Sequence, residues 1–540
     1  MVSHFYHWFD RTILELGREM RLSYLPPLMV YLAAGVSGLT GIVGTFFVKE
    51  YLGLSAEFLV ALGFWLGIPW ALKMPLGHLV DLIWRFKSIL VYIGAGLIAI
   101  SLLIMVGLLN HKEAMQAVMS VETWFVISAL LAPIGYVLQD VVADAMTVEA
   151  VPRFDAEGKA LDPALLRLMH TTVQTLGRVA IIGGSVVVAM VNVYLFDGVG
   201  DMNEAEKTAT YSQIYQLALL IPFISVLGVL LGFWIKMRDF RAYRHQGVSR
   251  HEAWKMIQGD IQKTAPNWWI LIGSLVFVIF TVTLGLSDVA YNQEIIFIGS
   301  FTIITFLMFR LLKELDDKAR NILLGTAVII FIFRAIPGPG PGSSWWMIDS
   351  LEFDQQFFSI LSLIASGLTL AGMFIFRRFM AEKSIAYIVV VLTIASTILS
   401  FPIVGMFYGF HEWTAAMTGG VVDARFIALV DTAIESPLGQ IAMIPMLAWI
   451  ANSAPSHLKA TFFAVMASFT NLAISASQLG TKYLNQIFTI SREVKDKAGV
   501  VTTPADYSEL GMLLMTVTAI GLILPISAVI IIKKSRLKSA

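Results

Sequence analysis

The sequence predicts an all-α polytopic membrane protein with two six-helix halves and an inserted helix pair, about fourteen transmembrane helices in total. Of the 540 residues, 57% are hydrophobic and only 14% are charged, well below the roughly 25% charged residues of soluble domains. Several apolar runs reach the ~20 residues that cross a bilayer as a helix. Strand-like alternation is absent over such lengths, so helices are favoured over a barrel.

The first 22 residues mix charges with aromatic side chains, which is not the pattern of a cleaved signal peptide. We expect an amphipathic helix in the membrane interface with Phe5, Trp8, Phe9 and Ile13 on its apolar side. Pro26 and Pro27 then open the first span. That span carries glycines that would allow close helix packing: Gly35, Gly38, Gly41 and Gly44.

Apolar runs divide the chain into three parts. Residues 1–236 contain the interfacial helix and spans near 26–48, 56–80, 88–109, 121–147, 168–195 and 211–236. Residues 237–320 form a polar, basic linker followed by two runs, 268–286 and 294–312, the inserted pair. Residues 321–540 hold six more spans, near 321–345, 355–377, 385–407, 426–452, 458–484 and 509–532.

Basic residues predict the orientation of these spans. With the N-terminus inside, most of the 38 Lys and Arg fall in cytoplasmic loops and helix ends, as the positive-inside rule requires. Both termini are therefore expected in the cytoplasm, and the protein is expected in a bacterial inner (plasma) membrane. The run PGPGPG at 337–342 falls at an outer helix end, where such a helix breaker is tolerated.

Composition also excludes several function classes. A net charge of zero argues against nucleic-acid binding, and the absence of cysteine excludes thiolate chemistry. The 9 histidines form no HExxH-type ligand pattern, and no GxxxxGK[ST] motif is present. An enzyme, a cofactor and ATP-driven transport are therefore not expected. The expected partners are a small-molecule substrate, protons and the lipid bilayer, with the chain acting as a monomer.

An acidic stripe marks the candidate site. Asp140 and Asp144 lie four residues apart in the apolar run of LQDVVADAMTVE, so a helix places both on one face. Asp431 and Glu435 repeat this spacing in the second half. Carboxylates in a membrane usually face a cavity or a partner, although a pair snorkelling to the interface is the alternative. The echo predicts a duplicated transporter with a site between its halves and disfavours a channel.

Three cations lie within predicted spans: Lys73, Arg178 and Arg334. Arg178 is either a substrate ligand or the structural partner of Asp140 or Asp144, because buried charges usually pair. Arg334 is either a ligand or a boundary arginine. Gln440 and Asn471 are membrane polar groups that serve equally well as interhelical contacts or ligand contacts.

A charged turn follows the second span. The stretch GHLVDLIWRFK contains Gly77, Asp81 and Arg85, and it resembles the gating-loop signature of the major facilitator superfamily. Trp84 stands where that signature has a second glycine, so the copy is degenerate. A short charged cytoplasmic turn is the alternative interpretation.

A wider resemblance covers both halves, roughly 46–150 and 321–480. FFVKEYLGLSAEFLVALGFWLGIPWALKMPLGHLVD, LQDVVADAMTVE and ALVDTAIESPLGQIAMIP resemble the folate–biopterin transporters of that superfamily. The resemblance implies proton-coupled transport of folates or pterins by alternating access, and Lys73 matches a family lysine in PWALKMP. Trp65 and Trp70 could stack on a flat ring. A fourteen-helix layout with an acidic fourth helix also resembles the muropeptide permeases, the alternative.

Overall fold

The computed structural model describes residues 18–539, except 52–55, 72, 153–160, 259–265, 286, 288, 314, 440, 442–458 and 496–500. The expected interfacial helix over residues 1–22 therefore lies almost entirely outside the described residues. Within the described part, ten helices or helix pairs are long and apolar enough to cross a membrane. The other four predicted spans are also helical where they are described, but are shorter or more polar. An all-helical membrane bundle is confirmed.

Among the described residues, eleven α-helices precede the inserted pair. Their bounds are α1 Leu25–Val36, α2 Gly41–Tyr51, α3 Ala56–Ala71, α4 Lys73–Leu82, α5 Ser88–Asn110, α6 Lys112–Gln116, α7 Val121–Ala150, α8 Pro163–Leu195, α9 Glu204–Ala218, α10 Leu220–His245 and α11 Arg250–Gln258. We call residues 18–245 the N-half. Its first predicted span is two α-helices joined by a 3-10 turn, Ser37–Thr40.

The inserted pair is α12 Trp268–Gly285 and α13 Asn292–Leu312. Residues 316–539, the C-half, contain α14 Asp317–Arg334, α15 Pro341–Ser350, α16 Gln355–Ile375, α17 Arg377–Glu382, α18 Ile385–Leu399, α19 Phe401–Phe407, α20 Phe410–Met417, α21 Ala424–Glu435, α22 Lys459–Ile487 and α23 Leu510–Lys534. Between α22 and α23, Val494–Lys495 (β1) pairs antiparallel with Val501–Thr503 (β2).

Local sequence explains where many helices begin. Ser120 accepts a hydrogen bond from the Thr123 backbone N–H at the start of α7. Asp316 and Asp354 cap α14 and α16 in the same way, through the third residue after each cap. Such caps satisfy backbone donors that a helix start leaves open.

Backbone-to-backbone packing at glycine allows α1 and α8 of the N-half to approach closely. A Cβ added at Gly35 of α1 would lie 2.1 Å from the Ile181 carbonyl oxygen of α8, so only glycine fits. Gly184 of α8 faces Gly35 with the same restriction. This contact confirms one of the four predicted packing glycines. The other three, Gly38, Gly41 and Gly44, have open space where a Cβ would stand.

The PGPGPG run lies at a helix end, as predicted: α14 ends at Arg334, and a separate helix, α15, begins at Pro341. Three side chains of α22, one helical turn apart, satisfy the backbone of the break. Ser477 Oγ donates to the Ile336 carbonyl at 2.6 Å. Thr481 Oγ1 accepts from the Gly338 N–H at 2.8 Å, and Asn485 Nδ2 donates to Pro339 O at 3.3 Å. Neighbouring helices must supply such partners wherever backbone is irregular at membrane depth.

The two ends of the bundle are defined by contacts between chain segments. At one end Glu149, in the last turn of α7, bridges Lys87 and Lys236. The chain path places Asn321 at the same end, where its carbonyl accepts from the Lys538 N–H. We call this end the terminal face; the sequence predicts that it faces the cytoplasm. The other end is the opposite face.

The halves meet across the opposite face. Phe46 of α2 and Phe358 of α16 make an edge-on ring contact with centroids 6.0 Å apart. Hydrogen bonds add to it: Gln355 Nε2 to Tyr211 Oη at 2.6 Å and Arg492 Nη1 to the Val48 carbonyl at 2.8 Å. The opposite face is therefore closed by direct contacts between the halves.

Candidate functional site

Lys73 forms the centre of the candidate site. It begins α4, and its ammonium contacts two carboxylates of α7. Lys73 Nζ lies 2.6 Å from Asp140 Oδ2 and 2.8 Å from Asp144 Oδ2. The side chains of Lys73 and Asp140 are each 16% exposed, whereas that of Asp144 is 37% exposed. The acidic stripe thus faces a buried partner instead of snorkelling.

Tyr31 of α1 completes the contacts of Asp144, and sequence reasoning missed it. Its hydroxyl donates to Asp144 Oδ1 at 2.6 Å, so the two oxygens of that carboxylate take different donors. The Tyr31 ring packs on Gly177 of α8, where an added Cβ would lie 2.8 Å from the ring. A tyrosine in an apolar span gives no signal of its own, because it is also a common core residue.

Arg178 lies beside this cluster without joining it. The pairing of Arg178 with Asp140 or Asp144, one of the two alternatives from sequence, is replaced by Lys73. Arg178 forms no ion pair with another described residue, yet its positive charge acts on both Asp140 and Tyr31. It is partly buried on α8, one residue after the glycine that contacts Tyr31. Among the described residues, the site therefore combines two carboxylates, one cation that pairs with both of them and one cation that has no ion pair.

The predicted aromatic pair separates in the structure. Trp65 packs edge-on against Phe64, and its ring tip contacts the backbone of Gly285 in the inserted pair. Trp70 instead packs in the hydrophobic cluster that includes Tyr31 and Val141, on the side of the Lys73 cluster. Asn471 of α22 donates to the Trp70 carbonyl at 3.2 Å, which makes it an interhelical contact between the halves.

The second acidic pair is not in contact with the first among the described residues. Asp431 lies on α21, and its Oδ1 is buried without a hydrogen-bond partner in the described part of the chain. Glu435, one turn later, is exposed. Arg334 ends α14 at the break and forms no ion pair with another described residue. The prediction for Gln440 lies outside the described residues.

The segment that the sequence predicts as a gating loop is helical up to its charged end. Gly77 lies in α4, and Arg85 is exposed in the 3-10 turn Trp84–Phe86, while the Asp81 side chain lies outside the description. The basic residue that carries the contacts is Lys87, which is buried. Its ammonium lies 4.1 Å from the Trp84 ring centroid and pairs with Glu149.

Comparison with solved structures identifies the class of fold. Structures of known transporters share the fold along nearly the whole chain. A POT family transporter in complex with 5-aminolevulinic acid aligns with a TM-score of 0.59 at 12% identity, covering 95% of this chain and 96% of that one. The nucleoside transporter NupG aligns with a TM-score of 0.51 at 12% identity, covering 94% and 99%. The protein has the major facilitator fold of membrane transporters.

A family model narrows this class. The model of the BT1 family matches residues 34–539, so the chain belongs to the BT1 family. A "Folate-biopterin transporter" of Synechocystis sp. (strain ATCC 27184 / PCC 6803 / Kazusa) is 23% identical over 470 residues, which cover 86% of this chain and 75% of that protein. The chain is therefore an integral membrane transporter of the folate–biopterin family and not an enzyme. The resemblance seen in the sequence is confirmed.

Proposed function

We propose that the protein is a secondary active transporter that moves a folate- or pterin-like organic anion together with a proton, by alternating access between residues 1–236 and 321–540. The observation that carries the proposal is the Lys73 cluster. Lys73 pairs with two carboxylates at 2.6 and 2.8 Å, while Arg178 beside them forms no ion pair with another described residue. Guanidinium groups bind carboxylates in a bidentate manner, so Arg178 is the natural anchor for an anionic substrate.

Charge balance supports coupling to a proton. Lys73 and Arg178 carry two positive charges, and Asp140 and Asp144 carry two negative charges. A substrate carboxylate on Arg178 would leave one uncompensated negative charge in a largely buried site, which is costly. One proton taken up by a carboxylate restores neutrality. Asp144 is the more accessible acceptor, because its side chain is 37% exposed against 16% for Asp140.

Substrate shape follows from the same site. A pterin ring presents neighbouring N–H donors that a carboxylate can accept in a bidentate manner. The exposed edge of Asp144 suits that contact, and Trp70 lies in the adjoining cluster as a flat partner for the ring. The BT1 family membership and the name of the Synechocystis relative support a folate or pterin over a muropeptide.

A second proton site is part of the proposal. The buried Oδ1 of Asp431 has no partner among the described residues. A proton is the simplest counter-charge for such a group, since an isolated buried carboxylate is strongly disfavoured. Asp431 would then carry a proton in the C-half while Asp144 does so in the N-half, and Glu435 and Arg334 would line the route to it.

The closed opposite face supports an assignment of the conformational state. The halves touch there, while Asp144 remains 37% exposed. We propose that the structure represents the state open towards the terminal face. With that face in the cytoplasm, it is the state that releases an imported substrate.

The test uses Asp144→Asn in proteoliposomes with labelled folate. Asparagine mimics the protonated acid, so we expect exchange of internal for external folate to continue while uptake driven by a pH gradient is lost. Asp201→Asn, at an exposed position on the opposite face, is the matched control and should accumulate folate normally. Full pH-driven uptake by a well-expressed Asp144→Asn protein would end its coupling role. Displacement of bound folate by muropeptides and not by pterins would favour the permease alternative.

A further inference from the structure

The inserted pair lies along the seam between the halves. Trp65 of α3 contacts Gly285 of α12, which attaches the pair to the N-half. On the other side Phe301 of α13 contacts Phe331 of α14 and Phe469 of α22, with ring centroids 5.5 and 6.1 Å apart. The pair therefore shares one hydrophobic cluster with both halves, including the two helices, α3 and α22, that pack directly on each other across the seam.

One side chain of the pair bonds to both halves at once. Gln293, near the start of α13 and only 6% exposed, donates from Nε2 to the Ala61 carbonyl of α3 at 3.2 Å. Its Oε1 accepts from Lys482 Nζ of α22, also at 3.2 Å. A single amide thus spans the seam between the N-half and the C-half.

The contacts of Gln293 are unequal, because the next residue adds to one side only. Glu294 accepts from Lys482 Nζ at 3.1 Å and from the Tyr483 hydroxyl at 2.7 Å, both on α22. At this end the pair is thus anchored to the C-half by an ion pair and two further hydrogen bonds. At this end the polar tie to the N-half is the Gln293–Ala61 bond alone among the described residues. At the terminal face, the N–H of Asn267, just before α12, donates to His78 Nε2 of α4 at 3.0 Å.

We infer that the inserted pair is a latch that holds the opposite face closed, and that Gln293 forms the bond that must break for that face to open. The inference rests on the alternating access of the proposed function. Opening the opposite face requires the ends of α3 and α22 at that face to separate. Since α13 stays with α22 through Glu294, the bond from Gln293 to Ala61 must break on opening. The loss of one hydrogen bond of ordinary strength changes a closed-to-open ratio about fivefold.

The absence of cysteine makes the test direct, because two engineered cysteines are the only labelling sites. We place spin labels at Val118 of the N-half and Ile487 of the C-half, which are 70% and 67% exposed at the opposite face. Double electron–electron resonance then measures the separation of the halves in the full-length protein. Gln293→Glu keeps the size and the contact with Lys482 but removes the donor to Ala61. Gln293→Leu removes both bonds.

Thr302→Val on the exposed side of α13 is the matched control, because among the described residues Thr302 bonds only to its own helix, at Ile298. Both Gln293 variants should raise the longer-distance population about fivefold over this control. If the Gln293 variants give the same distance distributions as the control, the latch is wrong. The proposed function still stands in that case if the labels separate when folate is added. Labels that separate in the Gln293 variants but not with folate support the latch and contradict the proposed substrate.

Discussion

Replacement of Lys73 by methionine tests whether one ammonium holds two carboxylates in the membrane. In the native protein the Lys73 ammonium contacts Asp140 and Asp144 at 2.6 and 2.8 Å. Methionine keeps much of the side-chain length but leaves both carboxylates without this cation. Removing one partner of a buried ion pair costs about 3–5 kcal/mol. Lys73 and Asp140 are each 16% exposed, so that range applies to their pair, whereas the contact with Asp144, 37% exposed, adds less because water screens it.

The assay is unfolding of the purified protein in mixed micelles, combined with folate uptake in proteoliposomes. Lys73→Met should lose about 3–5 kcal/mol of stability and all pH-driven uptake. The double variant Lys73→Met/Asp140→Asn should recover much of the stability but none of the uptake, because the uncompensated charge is gone and the site is still incomplete. Lys207→Met, which breaks an exposed pair with Glu204, is the control and should cost no more than about 1 kcal/mol. A double variant less stable than Lys73→Met would refute the reasoning.

Three further predictions concern the scaffold. Gly35→Ala should lower the free energy of unfolding by about 1–3 kcal/mol in the same assay, because its Cβ would lie 2.1 Å from a carbonyl oxygen. Gly38→Ala, which has open space around it, should leave the stability unchanged. Equal effects of the two substitutions would contradict the packing account. Thr481→Val should lower the free energy of unfolding by about 1–3 kcal/mol, because it leaves the backbone N–H of Gly338 in the helix break unpaired. Thr516→Val on α23 is its control, since the Thr516 hydroxyl bonds to Met512 of its own helix. Equal stability of the two variants would refute the role of α22. Glu149 lies beyond the apolar span Val121–Thr147. Burial raises its pKa, but the positive charges of Lys236 and Lys87 outweigh burial and hold the pKa below its ordinary value. The stabilisation of the folded protein by the Glu149 ion pairs is therefore present above about pH 4.5 and is lost as the pH falls through the lowered pKa. In that acidic range the thermal midpoint of Glu149→Gln should vary less with pH than that of the native chain. An equal pH dependence of the two proteins would contradict the ion-pair account.

Much of the fold could be predicted because the bilayer imposes a local pattern. Each span needs an apolar run of defined length, and all fourteen predicted regions carry helix where they are described. The stripe of Asp140 and Asp144 could be predicted for the same reason, since spacing of four residues fixes a shared helix face. The cation Lys73 was also identified, because charges are rare in membrane helices and stand out in sequence.

The partners within the site could not be predicted, since they depend on which helices meet. Nearness in chain order suggested Arg178 as a partner of the acidic stripe, but α4 brings Lys73 to both carboxylates instead. Tyr31 comes from α1, 113 residues from Asp144. Gln293 is an ordinary polar residue at a helix start until the fold places Ala61 and Lys482 on either side of it.

The central claim is that Arg178 anchors an anionic substrate whose entry is balanced by a proton. The most direct measurement is folate binding and pH-driven folate uptake by Arg178→Gln, compared with Arg310→Gln. Arg310 lies in the last turn of α13 with its guanidinium over the Trp269 ring at 3.9 Å, away from the Lys73 cluster. We predict that Arg178→Gln folds normally but loses affinity for folate by about tenfold or more, as expected for a charge-assisted contact, while it still binds a neutral pterin. Unchanged folate affinity and uptake in Arg178→Gln would contradict the account.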